Sequence, residues 1–494
     1  MAESKQRLPA FVGPSYTSRA SRFDIQRCVN MFIELNDLGA GKGQEPAVLI
    51  GTPGLKFLQT IGAGPIRATY TASNTAVTYV VSGNEVYALS GAMAVPIQLS
   101  GNLSTSSGPI SIRDNGSFII LVDGTNGYNI EIGVSAITTI VDANFYDGAS
   151  VVTYQDGIFV FNYPGTSDFF ISDTTSSDFP DVTFPANNIG SKSGNSDVLV
   201  SVHSNNRQLY LTGAADQEIW YNAGSGLISF ARQDGRFSQI GCVAAHSVVT
   251  LGESFFWLGS NAQGGGIVYM LENALPTIVS TNAVSYAIQN YGNLAGATAW
   301  AYQQEGHLFY CLNIPGADTT WCYDMSSKQW HERQSTVNGI TGRHLAQTHC
   351  VLNDIHIVGD YRNGNIYELD LDTYTDNNDM ILRIRQSPHV SESLYTLFYM
   401  LFEVDFQFGV GLVNDQTNPT NAVDPQAVLE ISRDGGQTWG IPMPASIGKI
   451  GRWLTRARWQ RLGRGRDIVF RVTVSDPVKV QMLSAMIDVE QGLA

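Results

Sequence analysis

Short apolar runs alternate with Gly, Asn and Asp turns along most of the chain, and the runs come in pairs. Val77–Val81 is followed by Glu85–Leu89, Phe118–Val122 by Tyr128–Ile132, and Ile158–Phe161 by Phe169–Ile171. Further on, Leu209–Leu211 precedes Glu218–Tyr221 and Phe255–Leu258 precedes Gly266–Met270. His307–Tyr310 then precedes Thr320–Asp324, and Ile355–Val358 precedes Asn365–Leu369. β-Branched and aromatic residues fill these runs, as expected of strands. The pairs recur about every 40–50 residues, the spacing of propeller blades. A lone four-stranded sheet cannot bury both faces, so such units stack radially around an axis. The expected fold is all-β, with a β-propeller of six or seven blades over residues 66–375.

Two segments fall outside the array. Residues 1–65 are rich in Pro, Gly and polar side chains with little periodicity. They read as an extended N-terminal arm for assembly contacts, one whose loss up to Arg22 leaves the propeller folded. Residues 376–494 carry longer strands, such as Leu397–Val404, and read as a C-terminal β-domain. The stretch Asp370–Asp379 is an acidic, turn-rich boundary between the two domains, and Gly411–Asp424 is a polar loop.

Composition agrees with short strands and tight turns. Of 494 residues only 15% are charged, 10% are aromatic and 49 are Gly. A net charge of −15 is unlike a conventional nucleic-acid binder, which is basic. Such acidity serves solubility, and an acidic body can also sit beside DNA that it must not grip. The five cysteines, Cys28, Cys242, Cys311, Cys322 and Cys350, show no framework spacing and read as buried free thiols. The opening residues Met1–Arg7 lack an apolar signal core, and no run approaches the roughly 20 apolar residues of a membrane span.

Candidate chemistry is sparse. Ser432-Arg433-Asp434-Gly435-Gly436-Gln437-Thr438-Trp439 matches the Asp-box pattern S-x-D-x-G-x-T-W. Ser432, Asp434, Gly436, Thr438 and Trp439 are expected to form a structural hairpin, with Trp439 buried at the start of the returning strand. Sialidases also carry Asp boxes, but they need an arginine cluster, a Tyr nucleophile and an acid. Here the arginines gather in one segment instead. Gly39–Gly43 lacks the first Gly and the hydroxyl of a phosphate loop. His344, His349, Cys350 and His356 read as strand residues and not a zinc set. Asp370, Asp372, Asp376 and Asp379 read as solvated turns and not a calcium loop. No catalytic residue, cofactor or metal is assigned. The basic segment is Lys449, Arg452, Arg456, Arg458, Arg461, Arg464 and Arg466, with Arg471 beyond it. It could touch phosphates or pair with protein acids, and pairing with acids is the expectation.

The C-terminal text, from the Asp box through Arg466-Asp467-Ile468-Val469-Phe470 to Ser475-Asp476-Pro477, resembles one narrow family. That family comprises the packaged-DNA stabilisation, or tail-nozzle, proteins of short-tailed phages. Arg27-Cys28-Val29-Asn30-Met31-Phe32-Ile33-Glu34 and Gly51-Thr52-Pro53-Gly54-Leu55 resemble its early motifs. Phe237–Cys242, Phe256–Gly259 and Trp321–Glu332 resemble its blades. The resemblance implies a structural, non-enzymatic virion protein of the tail, assembled in the host cytoplasm. It implies a homo-oligomeric ring, a hexamer in the family pattern, bound below the portal and its head-completion adaptors. The ring extends the channel for double-stranded DNA, retains that DNA until ejection, and carries the tail tip, needle or tailspike. The alternative is a carbohydrate-binding or sialidase-like propeller of a host-adsorption apparatus.

Overall fold

The computed structural model describes residues 5–36, 45–174, 182–224, 228–261, 264–272, 274–393, 395–407, 424–449, 451–452 and 455–492. Gly39–Gly43 and nearly all of the Gly411–Asp424 loop lie outside the described residues.

Among the described residues, seven antiparallel blades follow one another around an axis. Blade 1 is Ile66–Thr71, Thr78–Ser82, Glu85–Leu89 and Ile97–Gln98. Blades 2 to 4 begin with Ser111–Asp114, Val152–Gln155 and Leu199–Asn205, each followed by three more strands. Blade 5 is built on Val249–Leu251, Ser254–Asn261, Gly264–Glu272 and Leu275–Ile278. Blade 6 is Thr298–Gln304, His307–Asn313, Thr320–Asp324 and Gln329–Val337. The first strand of each blade lies nearest the axis. Between strands, Asp156 (φ 50°) with Gly157 (φ 88°), and Glu305 (φ 48°) with Gly306 (φ 83°), place both turn residues in the left-handed region. That is the two-residue turn whose twist matches the strands it joins.

Blade 7 closes the ring. Ala346–Leu352, Ile355–Asp360 and Asn365–Asp370 supply three strands, and the outermost is Gly54–Thr60, from before blade 1. It pairs antiparallel, with Leu55 opposite Leu369 and Lys56 opposite Glu368. Two distant parts of the chain thus hold the last blade, and its innermost strand packs beside Ile66–Thr71 of blade 1.

The C-terminal β-domain is a two-sheet sandwich. One sheet runs Met31–Leu35, Ala47–Gly51, Gln481–Gln491, Leu397–Phe406 and Ala457–Gly465, and Gln6–Arg7 also pairs with Gln481–Gln491. The facing sheet runs Ile25–Val29, Arg383–Gln386, Asp467–Val474, Gln426–Ser432 and Met443–Ser446. Phe402 stacks on Phe470 at 4.4 Å and on Trp459 at 5.8 Å at the centre of the core. Each such fully buried side chain contributes about 1.5–3 kcal/mol of hydrophobic stabilisation. Ile25–Val29 also meets Gln329–Val337 in parallel, Val29 opposite Glu332, so blade 6 and the sandwich share one continuous sheet.

The N-terminal segment is therefore not the extended arm expected from its composition. Every described strand between Gln6 and Thr60 is paired, and Leu8, Phe11, Ile25, Met31, Leu49 and Leu55 are buried. These apolar residues are too scattered for a local period, because each packs on a strand hundreds of residues away. Nor is Asp370–Asp379 simply a solvated boundary. Asp376 is buried, hydrogen-bonded by the Ser335 hydroxyl at 2.6 Å, and pushed up to about 6 by burial.

Candidate functional site

The Asp box ends the strand Gln426–Ser432 and turns through Gly435 (φ 71°) and Gly436 (φ 84°). Positive φ at both positions is cheap only for glycine. Asp434 organises the turn. Its carboxylate accepts from the Ser432 hydroxyl (2.7 Å), the Gln437 and Thr438 amides (3.0 and 2.9 Å) and the Thr438 hydroxyl (2.5 Å). The Gly436 amide closes back on the Ser432 hydroxyl at 2.8 Å. The Thr438 hydroxyl bond, then the Thr438 amide and Ser432, hold the Asp434 carboxyl down to about 2. Its oxygens are saturated by the turn, which makes it a brace.

Trp439 departs from expectation. The returning strand begins at Met443, and Trp439 is only half-buried. Its ring forms a shelf for Arg471, whose guanidinium carbon lies 3.9 Å from the ring centroid, and Arg471 pairs with Glu430 at 2.7 Å. Alternation failed here because the Asp-box turn is followed by an irregular stretch before pairing resumes. Trp439→Ala should therefore cost about 1 kcal/mol, the scale of a partly exposed cation–π contact. A buried truncation would cost about 3–5 kcal/mol. Chemical unfolding of the sandwich decides between the two.

The basic segment divides in two. Arg456 and Arg458 each reach Glu403 at 2.9 Å, and Glu403 is buried. Lys5 stands 3.9 Å from the same carboxylate, and Arg456 also approaches Asp405 at 3.9 Å. These cations neutralise acids of their own sheet. Lys449, Arg452, Arg461, Arg464 and Arg466 are exposed, and among the described residues none makes an ion pair. Arg461 and Arg464 lie on Ala457–Gly465, an edge strand of its sheet. Arg433, the variable residue of the Asp box, donates to the carbonyls of Leu462 (2.7 Å) and Arg464 (3.3 Å). The box is thereby stapled to the basic edge. Sequence reasoning missed this contact, because position x of the motif carries no signal of its own.

On the propeller axis lies a cavity of about 350 Å³, lined by the innermost strands of the blades. Arg113, His203, His246, Trp300 and His349 are among its walls, with no Asp or Glu. Arg67 is committed to the fold, since its guanidinium donates to the carbonyls of Gly83, Thr105, Ser107 and Gly108. Burial, with Arg113 nearby, pushes His203 down to about 3. Burial and His356 push His349 down to about 3, and burial alone takes His246 to about 4. These rings are neutral near pH 7. His349 and His356 meet ring to ring, with nitrogens 3.0 Å apart. Among the described residues no group of three or more His, Cys, Asp or Glu is placed to hold a metal ion, and no helix is long and apolar enough to cross a membrane.

The described residues form a propeller joined through one sheet to a β-sandwich, a two-part β architecture. The family model described as bacteriophage P22 Gp10, beta-propeller, matches residues 6–374, and that described as bacteriophage P22 Gp10, beta-sandwich, matches residues 383–490. The chain belongs to the bacteriophage P22 Gp10 family. It is a tail protein of the virion that stabilises packaged DNA, and virion components are its assembly partners. The carbohydrate-binding alternative is set aside by this membership. No curated protein matches the chain.

Among solved structures, the designed protein Ika8 is similar at 10% identity and a TM-score of 0.39, over 65% of this chain and 100% of that one. The N-terminal domain of Nup159 is similar at 10% identity and a TM-score of 0.39, over 70% and 98%. The Pan2 WD40 domain of Neurospora crassa is similar at 9% identity and a TM-score of 0.40, over 62% and 89%.

Proposed function

We propose that six copies form a ring below the portal and its adaptor proteins, extend the DNA channel, retain the genome until ejection, and carry the tail tip or needle. The carrying observation is the match of both family models, which together span nearly the whole chain. No enzymatic activity belongs to this reading. The body, at a net charge of −15, repels phosphate and lets DNA slide. The unpaired cations Lys449, Arg452, Arg461, Arg464 and Arg466 are the exception, and their role is to meet acidic faces of neighbouring subunits or adaptors. Were all five turned inward, each would add counterion-release affinity and act as a brake on the genome.

Imaging of the virion tail tests this directly. Six copies with the Ala457–Gly465 edge at a protein interface are expected. A single copy, a three-fold fibre, or a lumen lined by that edge overturns the reading. Replacing Arg461, Arg464 and Arg466 together by Gln should leave melting unchanged and reduce incorporation into tails at least tenfold. Normal incorporation contradicts the interface role.

A further inference from the structure

Cys311 and Cys322 face each other across the two middle strands of blade 6, paired directly in register. Both are fully buried, and their sulfurs lie 3.2 Å apart, in contact. The row continues outward, because Cys322 is itself opposite His331 on the next strand. Beside it sits Arg333, a fully buried guanidinium. Arg333 is hydrogen-bonded to the Tyr302 hydroxyl and lies over the rings of Tyr302 (5.1 Å) and Phe309 (5.5 Å). Among the described residues no carboxylate forms an ion pair with it. A buried guanidinium stays charged, and it favours whatever nearby group is able to turn anionic. Tyr302 and the thiol pair face it, and the Asp376 carboxyl also feels its charge. Burial alone raises both thiols, and Cys311 stays well above the ordinary range. For Cys322 the hydrogen bond shared with Cys311, then Arg333 and His331, outweigh burial and bring it well below. The two sulfurs are in contact, so whichever is oxidised first has a resolving thiol beside it.

We propose that Cys311 and Cys322 are an oxidisable pair that closes to a disulfide within blade 6 when the assembled particle leaves a reducing compartment. With a peroxide as oxidant, the Cys322 thiolate attacks one oxygen, the O–O bond breaks, and hydroxide leaves. The resulting sulfenic acid is attacked by the Cys311 sulfur. An S–S bond forms, the S–O bond breaks and water departs. The sum is two thiols and one hydrogen peroxide giving one disulfide and two waters, with two electrons passing from sulfur to oxygen. Disulfides persist on virion surfaces and are reduced in cytosol, so the two states map onto the particle before and after release. The position gives the bond a consequence. Blade 6 is the blade whose sheet runs into the sandwich through Ile25–Val29, so the cross-link fastens strands on the propeller side of that joint. The other thiols have different company: Cys28 bonds the Met31 carbonyl and Cys242 the Ala244 carbonyl.

The test uses the full chain, purified with reductant and then treated, folded and at neutral pH, with hydrogen peroxide. After quenching, the protein is unfolded in N-ethylmaleimide and mapped by mass spectrometry. Untreated protein should take a label on all five cysteines. Treated protein should lose two labels and yield one peptide joining Cys311 to Cys322, lighter by two hydrogens. Cys311→Ser should instead leave Cys322 as a sulfenic acid that dimedone traps. Five labels after treatment, or a disulfide joining any other pair, overturns the proposal. The wild-type measurement stands alone if the variant does not fold.

Discussion

Acidification from pH 7 to pH 4 should lower the melting temperature of the propeller steeply, well before ordinary carboxylates protonate. His203, His246 and His349 are folded as neutral rings, held down to about 3, 4 and 3 by burial and, for two of them, by Arg113 or His356. In the unfolded chain each titrates near 6.5. The unfolded state therefore binds more protons throughout the window between those values. Stability present above pH 6.5 is lost as pH falls towards the folded values. For His203 the loss by pH 5 is about 2 kcal/mol, and the three rings together cost about 4–6 kcal/mol. Raised carboxyls act in the opposite sense. Asp216 and Asp376 at about 6, with Asp360 and Asp405 also raised, all chiefly by burial, add stability as pH falls towards their unfolded values. The histidines prevail, and a net loss of several kcal/mol by pH 4 is large against a total of about 5–15 kcal/mol. Calorimetry across pH 7 to 4 measures this. His203→Gln with His349→Gln, which keep an amide for Thr250 and for the strand, should flatten the profile. A wild-type melting temperature constant down to pH 4.5 would contradict the argument.

Local features of the fold were legible in the sequence. Blades betray themselves because each strand pairs with its neighbour in sequence, so Phe118–Val122 and Gly127–Glu131 carry period, turn and partner within a short window. The Asp box was legible for the same reason, since Ser432, Asp434 and Thr438 bond one another. What stayed hidden is non-local. Gly54–Thr60 looks like a tail and is the outer strand of blade 7, because its pairing partner lies at the far end of the propeller. Ile25–Val29 bridges blade 6 and the sandwich with five residues that no period distinguishes. Side-chain contacts across sheets were equally invisible. A basic run in sequence does not say that Arg456 and Arg458 share Glu403 while Arg461 and Arg464 make no ion pair among the described residues. Nor does it say that Trp439 stays half-buried beneath Arg471.

Removing residues up to Arg22 should unfold the sandwich while the early blades stay folded, where composition alone led one to expect only the loss of an assembly arm. Leu8 and Phe11 belong to the sandwich core, and Phe11 meets the Phe402 ring edge-on at 5.9 Å. Losing Phe11 alone costs about 3–5 kcal/mol. The larger loss is electrostatic. Arg385 is fully buried on the strand Arg383–Gln386, and burial pushes it down to about 10. Its guanidinium donates to the carbonyls of Phe11 (2.5 Å), Pro14 (3.0 Å) and Ala10 (2.9 Å). After truncation only the Arg27 carbonyl and the Gln26 side chain remain as partners. Each stranded buried donor costs about 1–3 kcal/mol, more when charged. Ser15, which bridges the Cys28 amide at 2.7 Å and the Glu332 carboxylate at 3.0 Å, goes too, so the joint to blade 6 loosens. The sum is of the same order as the about 5–15 kcal/mol that a folded domain holds in reserve. Calorimetry should show the sandwich transition lost or moved below room temperature while the early blades still melt cooperatively, and amide exchange should be fast across Leu397–Phe406 and slow across Phe118–Val122. Phe11→Ala and Arg385→Met should give intermediate values; the second removes the buried charge but leaves the carbonyls of Ala10, Phe11, Pro14 and Arg27 without their donor. A truncated protein that keeps both transitions, yet fails to join tails, would make this segment a docking arm after all.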